Sequence, residues 1–490
     1  MQSLSAPNVV YILADDMGVG DVSCLNPNGK IHTRHIDAVA AQGVAFNDAH
    51  SSSAVCTPTR YSVLTGRYNW RSSMKEGVTW SWSRHLIEDD RTTVAAYLQT
   101  KGYHTACIGK WHLGWDWPLN SDDESDVDYS RPITFGPTHF GFDYFYGIPA
   151  SLDIPPYVYI ENDRPTSLPD RQTEDKSKQG WWRLGPTGAD FRHEEVLPNL
   201  TRKACTYIAE QAKKEQPFFL YFPLPAPHTP MLPTPEFQGK SGLNTYGDFC
   251  LMVDDVVGQI SEALAQNGIS DNTILIFTSD NGCSPEADFL ELAQYGHMPS
   301  HVYRGSKADI YDGGHRVPFV MRWPAEVHGG SRISTETICL NDLFATMAEI
   351  LGDTLSDNVA EDSVSNLAVW KGESLDKTVR EATVHHSCDG SFAIRKGKWK
   401  LVLCSYSGGW CWPRKEQVKP GMPEMQLYDM EIGYRERCNI IDQHPEIVEE
   451  LKALLTRYIR EGRSTPGERQ PNTGPRHWPQ LNWLSEQDLV

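Results

Sequence analysis

The sequence predicts an α/β fold: a large, mainly parallel or mixed sheet flanked by helices, followed by a smaller C-terminal α+β unit. Three observations carry this. Short apolar runs alternate with amphipathic helical patterns through the first two-thirds of the 490 residues. Polar and charged residues follow four of those runs. The character of the chain then changes after about Gly352.

The four runs are Val9–Leu13, Thr105–Gly109, Phe218–Phe222 and Thr273–Thr278. Each is too short for a helix and rich in β-branched or aromatic residues, as a buried strand is. They end at Asp15-Asp16, at Lys110 and His112, near His228, and at Asp280-Asn281. Between them lie two helical stripes. Leu200, Ala204, Tyr207, Ile208 and Ala212 form one; Phe249, Val253, Val256, Val257, Ile260 and Leu264 form the other. Helices alternating with strands imply parallel pairing, and ligands of such sheets bind beyond the C-terminal strand ends. Residues 353–380 are polar and irregular and read as a linker. Phe392–Leu403, with its Lys396-Gly397 turn, and Met425–Asp429 read as antiparallel strands. Pro445–Glu461 reads as a helix with Ile447, Leu451, Leu454, Leu455 and Tyr458 on one face. The expected division is 1–375 and 376–490, with the Pro-rich tail from Arg463 extended over the surface.

Composition narrows the function. Apolar residues make up 39% and aromatic residues 10%, so the chain can bury a core. The formal charge of −19 excludes non-specific nucleic-acid binding, and an anionic substrate would need a local concentration of positive charge. No apolar run reaches 18 residues, so no membrane insertion is expected. No secretory signal is visible at the start. The eleven Cys are scattered without a CxxC pair, which argues against structural zinc and a disulfide framework. Residues 121–128 are acidic but lack the central Gly of a calcium loop, and read as a solvated insertion.

Cys56-Thr57-Pro58-Thr59-Arg60 is the most informative stretch. Pro58 suits the first turn of a helix, which places Cys56 at a helix N-terminus that favours anions and Arg60 one turn on. Alone, the pentapeptide also fits a buried Cys beside a surface ion pair. Asp15, Asp16, Asp280 and Asn281 are hard oxygen ligands, suited to calcium or magnesium. Adjacent carboxylates at two strand ends repel each other unless a cation is present. Lys110 and His112, two residues apart, would point to one side of an extended segment.

Together these segments resemble the sulfatase family of the alkaline-phosphatase-like superfamily, from about residue 7 to 467. Cys56-x-Pro58-x-Arg60 with Leu64-Thr65-Gly66-Arg67 is similar to its modification signature. Thr59 stands where Ser is more frequent. Asn8–Asp16, Gly109–His112, His228, Thr278–Gly282, Lys307–Pro318 and Tyr428-Asp429 follow in the family's order. The resemblance implies a sulfuric ester hydrolase in which Cys56 is oxidised to formylglycine by a maturation enzyme. It implies calcium held by Asp15, Asp16, Asp280, Asn281 and residue 56. Lys110 and Lys307 would neutralise the sulfate, Arg60 and His112 would orient the hydrated aldehyde, and His228 would be the general acid. Segments 147–157, 312–316 and 462–467 look like microbial arylsulfatase-A-type carbohydrate sulfatases. The charge of −19 would repel a long polyanion, which favours exo-action on a terminal sugar, expected to be O4- or O6-sulfated galactose or N-acetylgalactosamine. Asp153, His315 and Arg316 would contact the sugar, and Trp80, Trp82, Trp181 or Trp182 could stack on it. Family habit implies a periplasmic or secreted enzyme. The alternatives are a phosphoester or phosphonate hydrolase of the same superfamily, or a silent relative that binds sulfated glycans.

Overall fold

Alternate residues of the strand Asn8–Ala14 enter two different cores. Val9, Tyr11 and Leu13 pack on one face of the sheet, and Val10, Ile12 and Ala14 on the other. A strand buried on both faces must be apolar throughout, which is why these runs show no polar alternation. The computed structural model describes residues 6–375, 377–432, 435–485 and 487. The first five residues and Asp376, where the second unit is expected to begin, lie outside that set.

The main sheet has ten strands. Its centre is five parallel strands in the order Thr273–Ser279, Asn8–Ala14, Phe218–Pro223, His104–Lys110 and Tyr144–Ile148. Beside Thr273–Ser279, Phe319–Arg322 pairs antiparallel and then pairs antiparallel with Val44–Phe46. The expected mixed α/β sheet is therefore present, and the four strands read from sequence are four of its five central members. Helices Val196–Gln211 and Thr245–Gln266 cover one face through the stripes identified above.

A four-stranded antiparallel sheet follows, ordered Thr383–His386, Phe392–Lys396, Trp399–Val402 and Gln426–Asp429. Helix Pro445–Glu461 buries Leu451, Leu454, Leu455 and Tyr458 against it. Three features differ from expectation. The edge strand Thr383–His386 was not read from sequence. The stretch read as a linker carries the helix Leu367–Lys371, and its buried Asp362 receives Arg71 Nε and Nη2 at 2.7 and 2.8 Å. The tail does not lie loose on the surface, because Trp478 and Leu481 are buried in the core of the small sheet. Proline-rich polar composition concealed those two apolar anchors. All eleven cysteines are free.

The small sheet is joined to the segment that leads into Cys56. The His386 amide donates to Ser52 O at 3.0 Å, and the Ala54 amide donates to His386 O at 2.9 Å. Behind this seam lies a buried polar cluster. His50 Nδ1 and His315 Nδ1 are 3.0 Å apart, and the His315 and His385 rings stack at 3.8 Å. Asp48, Arg316, Arg395, Asp312, Lys400 and Glu436 surround them. Burial pushes the His50 imidazole down to about 4, and pushes His315 and His385 well below the ordinary value.

These imidazoles are neutral when folded and take up protons near pH 6.5 when unfolded. The unfolded chain then binds more protons, so the stability is full above about pH 6.5 and drains as the pH falls toward 4. Across that window His50→Gln is expected to reduce the pH slope of the unfolding free energy by up to about 1.4 kcal/mol per pH unit. Denaturant titrations at intervals of half a pH unit measure it; an unchanged slope would remove His50 from the linkage.

Candidate active site

The site forms where four parallel strands end. Asp15 and Asp16 follow Asn8–Ala14, Lys110 closes His104–Lys110, His228 follows Phe218–Pro223, and Asp280 and Asn281 follow Thr273–Ser279. Cys56 is the first residue of helix Cys56–Thr65, after an extended Val55, and the helix ends on a left-handed Gly66. The Thr59 hydroxyl donates to Ser53 O at 3.0 Å, so the exchange of Ser for Thr keeps a hydrogen bond at the helix start. Thr57 Oγ1 donates to His112 O at 2.9 Å and ties the helix to the Lys110 strand.

Arg60, one turn beyond Cys56, is wholly buried. Its Nη2 and Nε donate to Asp280 Oδ2 at 2.7 and 3.2 Å, and its Nη1 donates to Lys110 O at 3.0 Å. Lys110 Nζ lies 2.5 Å from Asp15 Oδ2. Lys307 Nζ lies 2.7 Å from Asp16 Oδ1. Asn281 Nδ2 donates to Asp16 Oδ1 at 2.7 Å. Three cations thus stand against three carboxylates. Burial works against the Asp15 anion, but Lys110, His228 and Arg60 hold it far below the usual carboxylate range. Burial and the repulsion of Asp15 push Asp280 up. Burial also pushes the Cys56 thiol up, so the unmodified side chain is a thiol and not a thiolate.

Two acceptors in this cluster, Asp15 Oδ1 and Asn281 Oδ1, are buried with no hydrogen-bond partner. Buried oxygens without a donor are costly unless a cation faces them. Asp15, Asp16 and His228 also lie close enough together to share an ion. The donor set therefore fits a hard divalent metal.

The two histidines differ in chemistry. His112 Nε2 bonds the Thr79 carbonyl at 2.9 Å, so that nitrogen carries the hydrogen, and Nδ1 is left buried without a partner. Burial keeps this ring neutral, which leaves Nδ1 a proton acceptor. His228 Nδ1 bonds the Thr229 carbonyl at 2.6 Å, so its Nε2, 3.7 Å from Asp16, is the nitrogen available for proton transfer.

A sulfatase family model matches residues 7–353. The chain belongs to the sulfatase family. This sulfatase is 36% identical to an N-acetylgalactosamine-6-O-sulfatase of Bacteroides thetaiotaomicron over 492 residues, 93% of each chain. It is 31% identical to human arylsulfatase A, over 80% of this chain and 74% of that one. A solved 6S-sulfatase structure from glycosaminoglycan metabolism in Bacteroides thetaiotaomicron superposes with a TM-score of 0.79 at 35% identity, covering 92% of this chain and 99% of its own. Enzymes of this family generally depend on a formylglycine and a metal ion.

Of the expected sugar contacts in this sulfatase, Asp153 lies at the site, with Oδ1 3.9 Å from His228 Nδ1. His315 and Arg316 do not. His315 is enclosed by His50, Lys400 and the Ile310 carbonyl, and Arg316 by Asp48 and Asp312. The short helix Asp312–His315 turns both side chains into the buried cluster behind the site, and their nearness to Lys307 in sequence did not carry them to the substrate side. Trp182 stacks on His193 at 3.9 Å and Trp82 packs on the main core, and both are half-buried. Sequence reasoning missed Thr79 and Arg183. Thr79 holds His112, and Arg183 is paired with Asp153.

His112 is not extended as expected. It adopts a left-handed φ of 56°, as Asp16 does at 70°. Gly109 precedes this turn at φ 140°, and a Cβ there would sit 1.9 Å from the Pro223 carbonyl oxygen. Gly109→Ala is expected to cost about 3 kcal/mol in stability and to displace Lys110. Thermal melts and sulfate-release rates measure the two effects. Wild-type behaviour in both would show that the close approach of the strands is not needed.

Proposed function

We propose that this sulfatase is an exo-acting carbohydrate sulfatase that removes the sulfate ester from a terminal galactose or N-acetylgalactosamine, preferring N-acetylgalactosamine sulfated at O6. The observation that carries the reaction is the convergence of Cys56, Arg60, Lys110, His112, His228 and Lys307 on one ring of carboxylates. The choice of sugar and position is supported by the relative named N-acetylgalactosamine-6-O-sulfatase, which aligns over nearly the whole chain.

Asp15, Asp16, Asp280 and Asn281 would hold calcium, the ion that best suits three carboxylates and an amide oxygen. Calcium supplies Lewis-acid charge, and a formylglycine made from Cys56 supplies a hydrated-aldehyde nucleophile where a thiol is poorly matched to hard oxygen ligands. Lys110 and Lys307 bring two ammonium groups to the sulfate oxygens and stabilise the charge that develops there. Arg60 holds Asp280 and the end of the Lys110 strand in place. His228 Nε2 donates a proton to the leaving sugar oxygen, which requires the imidazolium form because Nδ1 already carries a hydrogen. His112 Nδ1 accepts a proton in the step that expels sulfate. Asp153 contacts a hydroxyl of the sugar. Conversion of Cys56 requires a formylglycine-generating enzyme, and membership of the family supports a periplasmic or secreted location.

Sulfate release tests this reading. The substrates are O4- and O6-sulfated galactose and N-acetylgalactosamine, sulfated glucosamine, nitrophenyl sulfate and nitrophenyl phosphate. Wild type is expected to favour 6-O-sulfated N-acetylgalactosamine, and Cys56→Ala to lose about a thousandfold or more in kcat. Peptide mass at residue 56 establishes that the wild type is converted. Undiminished turnover by Cys56→Ala would overturn the mechanism, and preference for the phosphate ester would overturn the reaction. Chelation should abolish activity and calcium restore it more fully than zinc.

A further inference from the structure

The mouth of the site holds a cation that the reaction leaves unused. Arg183 belongs to the strand Trp182–Gly188, and its side chain is 42% exposed. Its guanidinium carbon stands 5.3 Å from the ring centre of Trp80 and 4.9 Å from that of Trp181. Two aromatic rings on one guanidinium restrict its orientation and favour the charged group. The backbone beneath is fixed as well, because the Tyr157 hydroxyl donates to Arg183 O at 2.6 Å.

Arg183 connects the two sides of the site. Its Nη1 donates to Asp153 Oδ2 and, at 3.1 Å, to Asp153 O. Asp153 in turn lies against His228, the group that faces the leaving sugar. Trp80 follows Thr79, whose carbonyl takes the His112 hydrogen bond. Arg183 therefore stands one side chain beyond Asp153 from His228, and is exposed to solvent there. Nη1 is the only one of its guanidinium nitrogens with a hydrogen bond to the protein among the described residues. The Nε–Nη2 edge is left as a fork of parallel donors, the geometry that matches two oxygens of one anionic group. Glu286 is engaged by the neighbouring ring, accepting from Trp181 Nε1 at 3.4 Å. In a chain of charge −19, an exposed guanidinium at the entrance is a local exception to a surface that repels anions.

We infer that Arg183, held between Trp80 and Trp181, recognises a second anionic group on the substrate beyond the ester that is cleaved. That group is the carboxylate of a uronic acid next to the sulfated sugar, or a further sulfate ester on the same saccharide. The inference rests on reading the site as a saccharide sulfatase and adds to it the class of neighbouring unit. A bidentate pair at this exposure is expected to raise kcat/KM about tenfold, chiefly through KM. Raising the salt concentration should weaken the gain.

The test uses converted wild type, Arg183→Gln and Arg183→Lys. Four substrates are compared: 6-O-sulfated N-acetylgalactosamine alone, the same sugar linked to a neutral hexose, the same sugar linked to a uronic acid, and the monosaccharide with a second sulfate. Wild type should prefer an anionic substrate over its neutral counterpart, and whether the uronate or the disulfated sugar shows the gain identifies the source. Arg183→Gln should bring that preference close to one, and Arg183→Lys should keep part of it. Equal losses on all four substrates would overturn the inference and make Arg183 only a strut for Asp153. So would a wild type that gains nothing from either anionic arm while hydrolysing the neutral ones. If none of the four is hydrolysed but nitrophenyl sulfate is, the saccharide reading and the inference fall together.

Discussion

The ion pair between Arg60 and Asp280 is the constraint on which the site depends. Asp15, Asp16 and Asp280 are carboxylates at adjacent strand ends with almost no exposure to solvent. Buried like charges of this kind are bearable only when each is compensated at close range. The protein does this one for one, Arg60 with Asp280, Lys110 with Asp15 and Lys307 with Asp16. Arg60 does more than neutralise, because its third nitrogen holds the Lys110 carbonyl and so links the helix, two strands and the carboxylates. The balanced charge explains how the cluster folds, and the two unpartnered oxygens within it explain why it still attracts a cation.

Such an arrangement demands unusual backbone. Asp16 and His112, both in the site, have positive φ, and so does Ala308, which follows Lys307. For residues with a Cβ this region costs on the order of 1 kcal/mol or more. Ala308 is held from both sides, its amide donating to Ala54 O at 2.8 Å and its carbonyl accepting from the Cys388 amide at 2.9 Å. The small sheet thus braces the backbone just before Cys56 and just after Lys307.

Much of this was legible in the sequence because parallel strands and the polar residues after them leave a strong local pattern. Asp15-Asp16, Lys110, His228 and Asp280-Asn281 each follow an apolar run, and the central sheet brings such ends together. Cys56 and Arg60 were legible through helix spacing. His315 and Arg316 were misread because sequence proximity to Lys307 carries no direction, and a single helical turn reversed theirs. The conformation of His112 was hidden because a left-handed residue other than Gly has no compositional signal. Arg183 lies 30 residues from its partner Asp153 in a hairpin whose exposed side chains resemble ordinary surface. The Thr383–His386 strand is defined by its pairing with Phe392–Lys396 and its seam to Ser52–Ala54, and Trp478 and Leu481 by the core they join, none of which leaves a local pattern.

The seam at Ser52–Ala54 also sets a clock. Cys56 is enclosed in the finished protein, and the backbone just before it is completed by His386, which is made 330 residues later. At synthesis rates of about 5–20 residues per second, that separation corresponds to roughly 20–70 s. During this interval the two hydrogen bonds between His386 and the Ser52–Ala54 segment cannot form, because the strand that makes them does not yet exist. The interval belongs to the order of the segments along the chain, and any enzyme that must reach the thiol works against it.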